Sequence, residues 1–309
     1  MKRDLPKVSI VIPGYNCEKT IKESIEACLN QDYPKDLYEV IFVNDGSQDR
    51  TKEIVEKLPV RYFEQNHSGP AKARNRGFKE AKGEIILFTD SDCLPDKNWI
   101  YSLVKNFDSK DIGAVGGSYG IKNSKNLLAD SIHAEILWRH KRLVREVKAL
   151  GSYNLAVPKK ILLEINGFDE TYLTSSGEDN DLCYRLLEKG YRLVFEPKAL
   201  VYHYYPEKIF SYLKHQFWHG YWRVKLYLKH FKMIKGDDYS NLVDYFTPIL
   251  AISFQFIPLL LTDLFRTLKI LCYTKKINHF FLLGIIFLRD FYRGTGLFLG
   301  LIKFLLFRL

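Results

Sequence analysis

The 309-residue sequence has little of what marks a protein built on disulfides or zinc clasps. Its five cysteines, Cys17, Cys28, Cys93, Cys183 and Cys272, are odd in number and form no CxxC pair. That pattern supports neither a zinc site nor a disulfide framework, and it points to a reducing compartment. No repeat and no low-complexity linker breaks the chain. The first apolar run, after MKRDLPK, is about five residues long and ends at Pro13, too short for a secretory h-region. The first domain is therefore expected to stay in the cytoplasm. Disorder is excluded by a hydrophobic content of 47%. Residues 1–202 lack a charge bias, with 31 Lys/Arg against 30 Asp/Glu. Residues 203–309 carry 15 Lys/Arg against 6 Asp/Glu. A balanced domain is followed by a basic, apolar tail.

The front of the chain alternates strand and helix signals. Val8–Ile12 is a β-branched run stopped by Pro13-Gly14, and Asn16 is expected to cap a helix reaching about Asn30. Strands are predicted at Val40–Val43, Val60–Phe63 and Glu84–Phe88, with helices over Asp49–Lys57 and Gly69–Ala81. Strands joined by single helices imply parallel βαβ units, which bind ligands at the carboxyl ends of their strands. The loops 13–16, 44–49 and 89–93 fall on that edge. Further on, Ile112–Tyr119 and Ser152–Val157 read as strands and 127–148 as a helix. Glu178–Lys189 reads as another helix, and Tyr191–Phe195 as the last strand.

Three acidic loops carry chemistry. In Asn44-Asp45-Gly46-Ser47, a carboxylate at a strand end can accept hydrogen bonds from a nucleobase or ribose, and the same residues also make a plain turn. In Asp90-Ser91-Asp92, two like charges just past a buried strand repel unless a divalent cation such as Mg²⁺ or Mn²⁺ bridges them to phosphate oxygens. A solvated loop is the alternative. In Gly177-Glu178-Asp179-Asn180-Asp181, the acids suit a helix N-terminus, or one of them acts as a general base.

The succession VSIVIPGYN, VNDGSQDRT, GPAKARNRG, FTDSDC, NGFDE, GEDNDLCYRL resembles the family 2 glycosyltransferases, inverting enzymes of the GT-A fold, over about residues 7–205. The resemblance implies an α/β fold: a Rossmann-like, mostly parallel sheet flanked by helices, followed by a helical apolar C-terminal region. It implies a domain at 1–205 (nucleotide half about 1–95, acceptor half about 96–205). Beyond the resemblance, charge and hydropathy read 206–240 as a basic amphipathic connector and 241–309 as membrane-associated helices. The site it implies has Asp179 as catalytic base, with Glu178 beside it to touch the acceptor or orient the base. The nucleotide sugar is expected to lie on Pro13, Tyr15, Glu18, Asp45, Arg74, Asp90 and Asn154. A Mg²⁺ or Mn²⁺ ion is expected on Asp92 and Asp90, with His203 near the diphosphate or packed in the interior. The implied activity is transfer of one sugar from a nucleotide sugar, UDP-linked first, to a hydroxyl of a glycan or lipid-linked glycan. Transfer to a polyprenyl phosphate, a non-catalytic scaffold and a nucleotidyltransferase are the alternatives. Asn166 replaces the first glycine of the usual GGFDE. Gln216-Phe217-Trp218-His219-Gly220-Tyr221-Trp222 does not match the QxxRW of processive synthases, so single addition is expected. Trp218 and Trp222, a helical turn apart, suit core packing or stacking on a sugar or lipid.

In the tail, residues 245–262 run 18 residues without a charge, and 277–307 are apolar but broken by Arg289, Asp290, Arg293 and Lys303. A hairpin that enters and returns, or in-plane helices on anionic lipid, fits the basic flanks. A soluble helical subdomain or an oligomer interface is the other reading. The formal charge of +10 invites a nucleic-acid partner. The basic residues alternate with aliphatic runs, so no nucleic acid is expected. The enzyme is expected at a membrane, its catalytic domain facing the cytoplasm.

Overall fold

The computed structural model describes residues 5–238 and 242–306. In chain order the elements are β1 (Val8–Gly14), α1 (Ile21–Leu29), β2 (Tyr38–Asn44), α2 (Thr51–Val55), β3 (Arg61–Glu64), α3 (Pro70–Glu80), β4 (Ile85–Thr89), β5 (Cys93–Pro95), α4 (Trp99–Val104) and β6 (Ile112–Ile121). Then come α5 (Leu127–His140), β7 (Glu146–Val147), β8 (Asn154–Pro158), α6 (Lys159–Glu164), α7 (Glu178–Glu188), β9 (Arg192–His203), α8 (Ile209–Lys229), α9 (Leu242–Ile252), α10 (Phe256–Thr274) and α11 (Leu282–Leu301).

The chain forms two compact units, residues 1–120 with 144–203, and 121–143 with 204–309. In the first, one sheet has the order β3-β2-β1-β4-β8-β6-β9-β5, with β7 on β9. β1, β2, β3 and β4 pair in parallel, whereas β8 runs antiparallel to β4 and β6, and β9 antiparallel to β5 and β7. The sheet is thus mixed rather than mostly parallel. Only its first half is made of βαβ crossovers; the rest is paired through longer returns. The core on one side packs Ile10, Ile12 and Phe42 against Ile21, Ile25 and Cys28 of α1. Strand side chains of both faces are buried, as helix-covered parallel strands require. Asn16 does not cap α1, which starts at Ile21; it sits in the preceding loop at φ +50°.

The second unit is helical. The helix expected over 127–148 stops at His140, and Glu146–Val147 turns to strand. α5 packs with the C-terminal helices. α8, expected as a connector, packs backbone to backbone on α11. A Cβ added at Gly220 would sit 2.0 Å from the Arg293 carbonyl, and one at Gly296 2.0 Å from that of Phe217. Trp222 is buried in this unit with its ring against Phe304. The uncharged run 245–262 is not one helix. α9 closes with Gln255 N donating to the Leu250 carbonyl and Phe254 in the left-handed region, and α10 starts afresh. Among the described residues, no helix is long and apolar enough to cross a membrane.

Candidate active site

The expected site residues all lie in the sheet unit. β1 and β2 run in register, so Gly14 lies beside Asn44 and the loops that follow are zipped together. Asp45 N donates to the Gly14 carbonyl, Asn16 N to Ser47 Oγ, Gln48 N to Asn16 Oδ1, and Glu18 N to Asp49 Oδ2. Glu18 also accepts from the backbone N and Nε of Arg50. Glu18 therefore braces the two loops, and Pro13 is buried within β1. Asp45 is buried. Its carboxylate accepts from Gln65 Nε2 at 2.7 Å, Ser68 N at 3.0 Å and Gly69 N at 2.9 Å, and lies 2.9 Å from His67 Nδ1. His67, which the motifs do not single out, stacks on Tyr15 with ring centroids 4.0 Å apart.

Gly69, at φ +94°, and Pro70 start α3, which carries Arg74 into the interior. Arg74 is 1% exposed. Its Nη2 donates to Asp90 Oδ1 at 2.7 Å and its Nη1 to Glu178 Oε1 at 3.0 Å. One guanidinium thus ties the loop after β4 to the start of α7. Gly177, at φ +91°, turns the chain into α7 and presents Glu178 and Asp179 there. Burial pushes the Glu178 carboxyl up to about 7, with repulsion from Asp179 adding and Arg74 opposing. Burial also raises the Asp179 carboxyl; the Asn180 N–H and Arg74 oppose it, and Asp90 adds to it. A carboxylate held above its ordinary range is a stronger base.

The two aspartates of the DxD loop part company. Asp90 turns to Arg74. Asp92 Oδ1 lies 3.4 Å from His203 Nε2. His203 arrives there because β5 pairs antiparallel with β9, which sets it opposite Cys93. Ligand atoms of Asp92, Cys93 and His203 lie within 4.8 Å of one another. Burial pushes the Asp92 carboxyl up, but the neighbouring His203 more than offsets this and holds it below the ordinary range. Burial alone would lower His203, and Asp92 raises it. Burial pushes the Cys93 thiol well up, and a soft sulfur ligand suits neither Mg²⁺ nor Mn²⁺. Asp92 and His203 remain, an oxygen and a nitrogen donor with room in the coordination shell for phosphate oxygens and water. That set fits Mn²⁺ or Mg²⁺, which keep few protein ligands in phosphate sites.

Asn154, expected on the nucleotide sugar, is engaged within the sheet unit. It is buried, its Oδ1 accepts from Trp99 Nε1, and its Nδ2 donates to the Ser118 and Ala199 carbonyls. It braces β6, β8, β9 and α4, and these bonds occupy its amide. Beside it, Tyr153 and Tyr119 stack at 3.6 Å, and the Tyr119 ring lies 5.9 Å from His203. Asn75, the residue after Arg74, exchanges hydrogen bonds with the Phe168 backbone and donates to Glu170. It anchors the Asn166–Gly167 turn, where both residues take positive φ. Asparagine tolerates that region, so the loss of the first glycine is accommodated.

A sheet with acidic loops at its carboxyl edge, a buried Arg–carboxylate bridge and a carboxylate–imidazole pair is the arrangement of an α/β enzyme of GT-A-like fold. Residues 9–158 match the profile of glycosyl transferase family 2, and residues 85–287 that of glycosyl transferase family group 2. The chain belongs to the family 2 glycosyltransferases. It is 31% identical over 244 residues to the probable glycosyltransferase YdaM of Bacillus subtilis, covering 72% of this chain and 54% of that protein. The chain thus spans about half the length of that relative. Among solved structures it is similar to the Pyrobaculum calidifontis mannosyltransferase PcManGT in complex with GDP-Man and Mn²⁺. There the TM-score is 0.59 and the identity 23%, over 74% of this chain and 64% of that one. It is also similar to residues 1–349 of S. aureus TarS in complex with UDP-GlcNAc. There the TM-score is 0.51 and the identity 23%, over 69% of this chain and 65% of that one. At that identity the two structures speak for the fold alone.

Proposed function

We propose that the protein is an inverting glycosyltransferase that moves a single sugar from a nucleotide sugar, with UDP as the first choice of nucleotide, to a hydroxyl of a glycan or lipid-linked glycan. The observation that carries this reading is Asp179 at the start of α7, with a raised carboxyl and linked through Glu178 and Arg74 to Asp90. Asp179 takes the proton of the acceptor hydroxyl as its oxygen attacks the anomeric carbon. The bond from that carbon to the diphosphate oxygen breaks on the opposite face, its electron pair leaves with the nucleoside diphosphate, and the configuration inverts. Glu178 is held by Arg74 and orients the neighbouring base. Asp92 and His203, with Asp90 beside them, would hold Mg²⁺ or Mn²⁺, which when bound neutralises charge on the departing diphosphate. Tyr15, His67 and Asp45 form the end where a nucleobase is received.

The same proposal places the enzyme at a membrane with the catalytic unit in the cytoplasm. The free, buried thiols of Cys17, Cys28, Cys93 and Cys183 suit a reducing compartment. The apolar exterior of α10 favours a lipid-linked acceptor, and with it a second reading, transfer onto a polyprenyl phosphate. That acceptor is already an anion and needs no base. Asp179→Asn separates the two. Loss of transfer with retained donor binding supports the hydroxyl acceptor, and near-normal turnover supports the phosphate.

A further inference from the structure

Helix α10 is built inside out. Its outward stripe is Ile257, Leu261, Phe265 and Leu268, which are 75%, 63%, 59% and 46% exposed. Steps of four, four and three keep these side chains on one helix face. The opposite, buried face carries Leu259, Asp263, Arg266 and Ile270. Asp263 is 0% exposed and Arg289 of α11 1%. For a surface in water this is reversed: buried ions are costly, and a large exposed apolar stripe marks a contact surface.

The charges inside are matched to one another. Arg289 donates to both oxygens of Glu135 and to Asp290, and Arg266 to Asp290 and Asp244. Arg139 bridges Glu135 and Asp244. Asp263 is the exception: it lies 3.6 Å from Arg266, and neither of its carboxyl oxygens makes a hydrogen bond. Among the described residues from 242 on, every acid, Asp244, Asp263 and Asp290, therefore faces inward onto an arginine. Lys269, Lys275 and Lys276 are exposed. Lys269 Nζ sits 4.1 Å over the Phe265 ring, at the edge of the apolar stripe. A long cationic side chain lying along apolar surface with its head outward is the snorkelling arrangement.

We infer that the helical unit seats on an anionic lipid surface without crossing it, with α10 lying in the interface plane. The Ile257–Leu268 stripe meets the acyl region, and Lys269 and Lys275 meet the headgroups. Two observations favour a lipid partner: the apolar stripe, and the exposed Lys269 and Lys275 at its edge and end; among the described residues no helix is long and apolar enough to span. The inference rests on the proposed membrane location and adds the face and its orientation.

The test uses the full chain and sedimentation with vesicles of phosphatidylcholine alone or mixed with phosphatidylglycerol. Wild type is expected to bind the mixed vesicles. The outward double variant Leu261→Gln/Phe265→Gln is expected to lose affinity about tenfold or more, from the apolar area it no longer buries. Lys269→Gln/Lys275→Gln is expected to lose the preference for anionic lipid. A Phe265→Trp variant is expected to be quenched more by lipids brominated high on the acyl chain than near its end. Wild type left in the supernatant, variants that sediment like wild type, or stronger quenching at the chain ends each overturns the inference. So does a vesicle-free dimer that the double variant splits without any lipid binding. Nucleoside diphosphate binding, measured on the same samples, keeps the two claims apart. Its loss would count against the transferase reading, whereas lost sedimentation with retained nucleotide binding counts against this one.

Discussion

Arg74 is the residue on which the candidate site turns. It is buried, always charged, and shared between Asp90 and Glu178. Neither carboxylate belongs to the other's loop, so the guanidinium makes one site of two motifs. If Asp179 is the base, Asp179→Asn should lower kcat by about 10²–10⁴-fold and leave donor binding intact, which steady-state kinetics beside calorimetry would show. The raised carboxyls add a pH signature. Asp179 must be ionised to accept a proton, so the acid limb of kcat/KM should lie above the ordinary carboxylate range. Glu178, raised to about 7 by burial and by the ionised Asp179, is still neutral while Asp179 ionises. Glu178→Gln should therefore leave that limb in place, whereas Asp179→Asn should abolish it; a limb that survives Asp179→Asn would argue against Asp179 as base. Residues such as Asp45, Asp92 and Asp179 were legible because each sits in a short motif at a strand end or helix start. The bracing bonds of Asn154 are not legible, because its partners, Trp99, Ser118 and Ala199, come from elements remote in sequence. His67 went unseen because a lone histidine in a polar loop carries no motif. Its stack on Tyr15 exists only once β1, β2 and the loop into α3 are assembled.

Among the elements, those with a strong local period were legible. The strands β1, β2 and β4 are short apolar runs closed by Pro-Gly, Asn-Asp-Gly or Asp-Ser-Asp. β5 and β7 are three and two residues long, and no pattern of that length separates a strand from a loop. The mixed sheet followed from the same limit, since strand direction after β4 depends on the pairing of β8 and β9, which alternation does not encode. In the tail, the uncharged run 245–262 gives no local sign of the break at Phe254, which ends one helix and lets the next begin. Close packing of α8 on α11 gives a direct test. Gly296→Leu would drive a side chain into the Phe217 carbonyl, and overpacking of this kind costs about 1–3 kcal/mol, read as a lower melting temperature. Asp263 gives a pH-dependent one. Burial and the nearby Asp290 raise its carboxyl to about 7, above its unfolded value. The folded state therefore prefers the protonated form, and stability falls as pH rises from about 4 to about 7. Asp263→Asn stays neutral, so its advantage over wild type in melting temperature should grow across that window and then level off. A constant difference would contradict it.

For the whole molecule, the two units have opposite surface logic. The sheet unit buries apolar side chains and sets Asp45, Asp90 and Asp92 in loops after its strands, while the helical unit buries Asp263 and Asp290 and shows aliphatic and aromatic side chains on α10 with Lys269 and Lys275 beside them. The break in charge balance near residue 203 was visible in the sequence, and so was the family. The membership of α5 in the helical unit was not, because its ion pairs reach Asp244 and Arg289, more than 100 residues away. The account's central claim is that the sheet unit binds a nucleotide sugar through a metal held at Asp92 and His203. The measurement that tests it most directly is thermal stability of the wild-type chain and of Asp92→Ala against UDP-, GDP- and dTDP-sugars, each with and without Mn²⁺. A ligand that binds only the folded state at 100 times its Kd stabilises by about 2.7 kcal/mol. The account predicts a Mn²⁺-dependent upward shift with one nucleotide in wild type and its loss in Asp92→Ala. No shift with any donor, or a shift that survives Asp92→Ala unchanged, would contradict it.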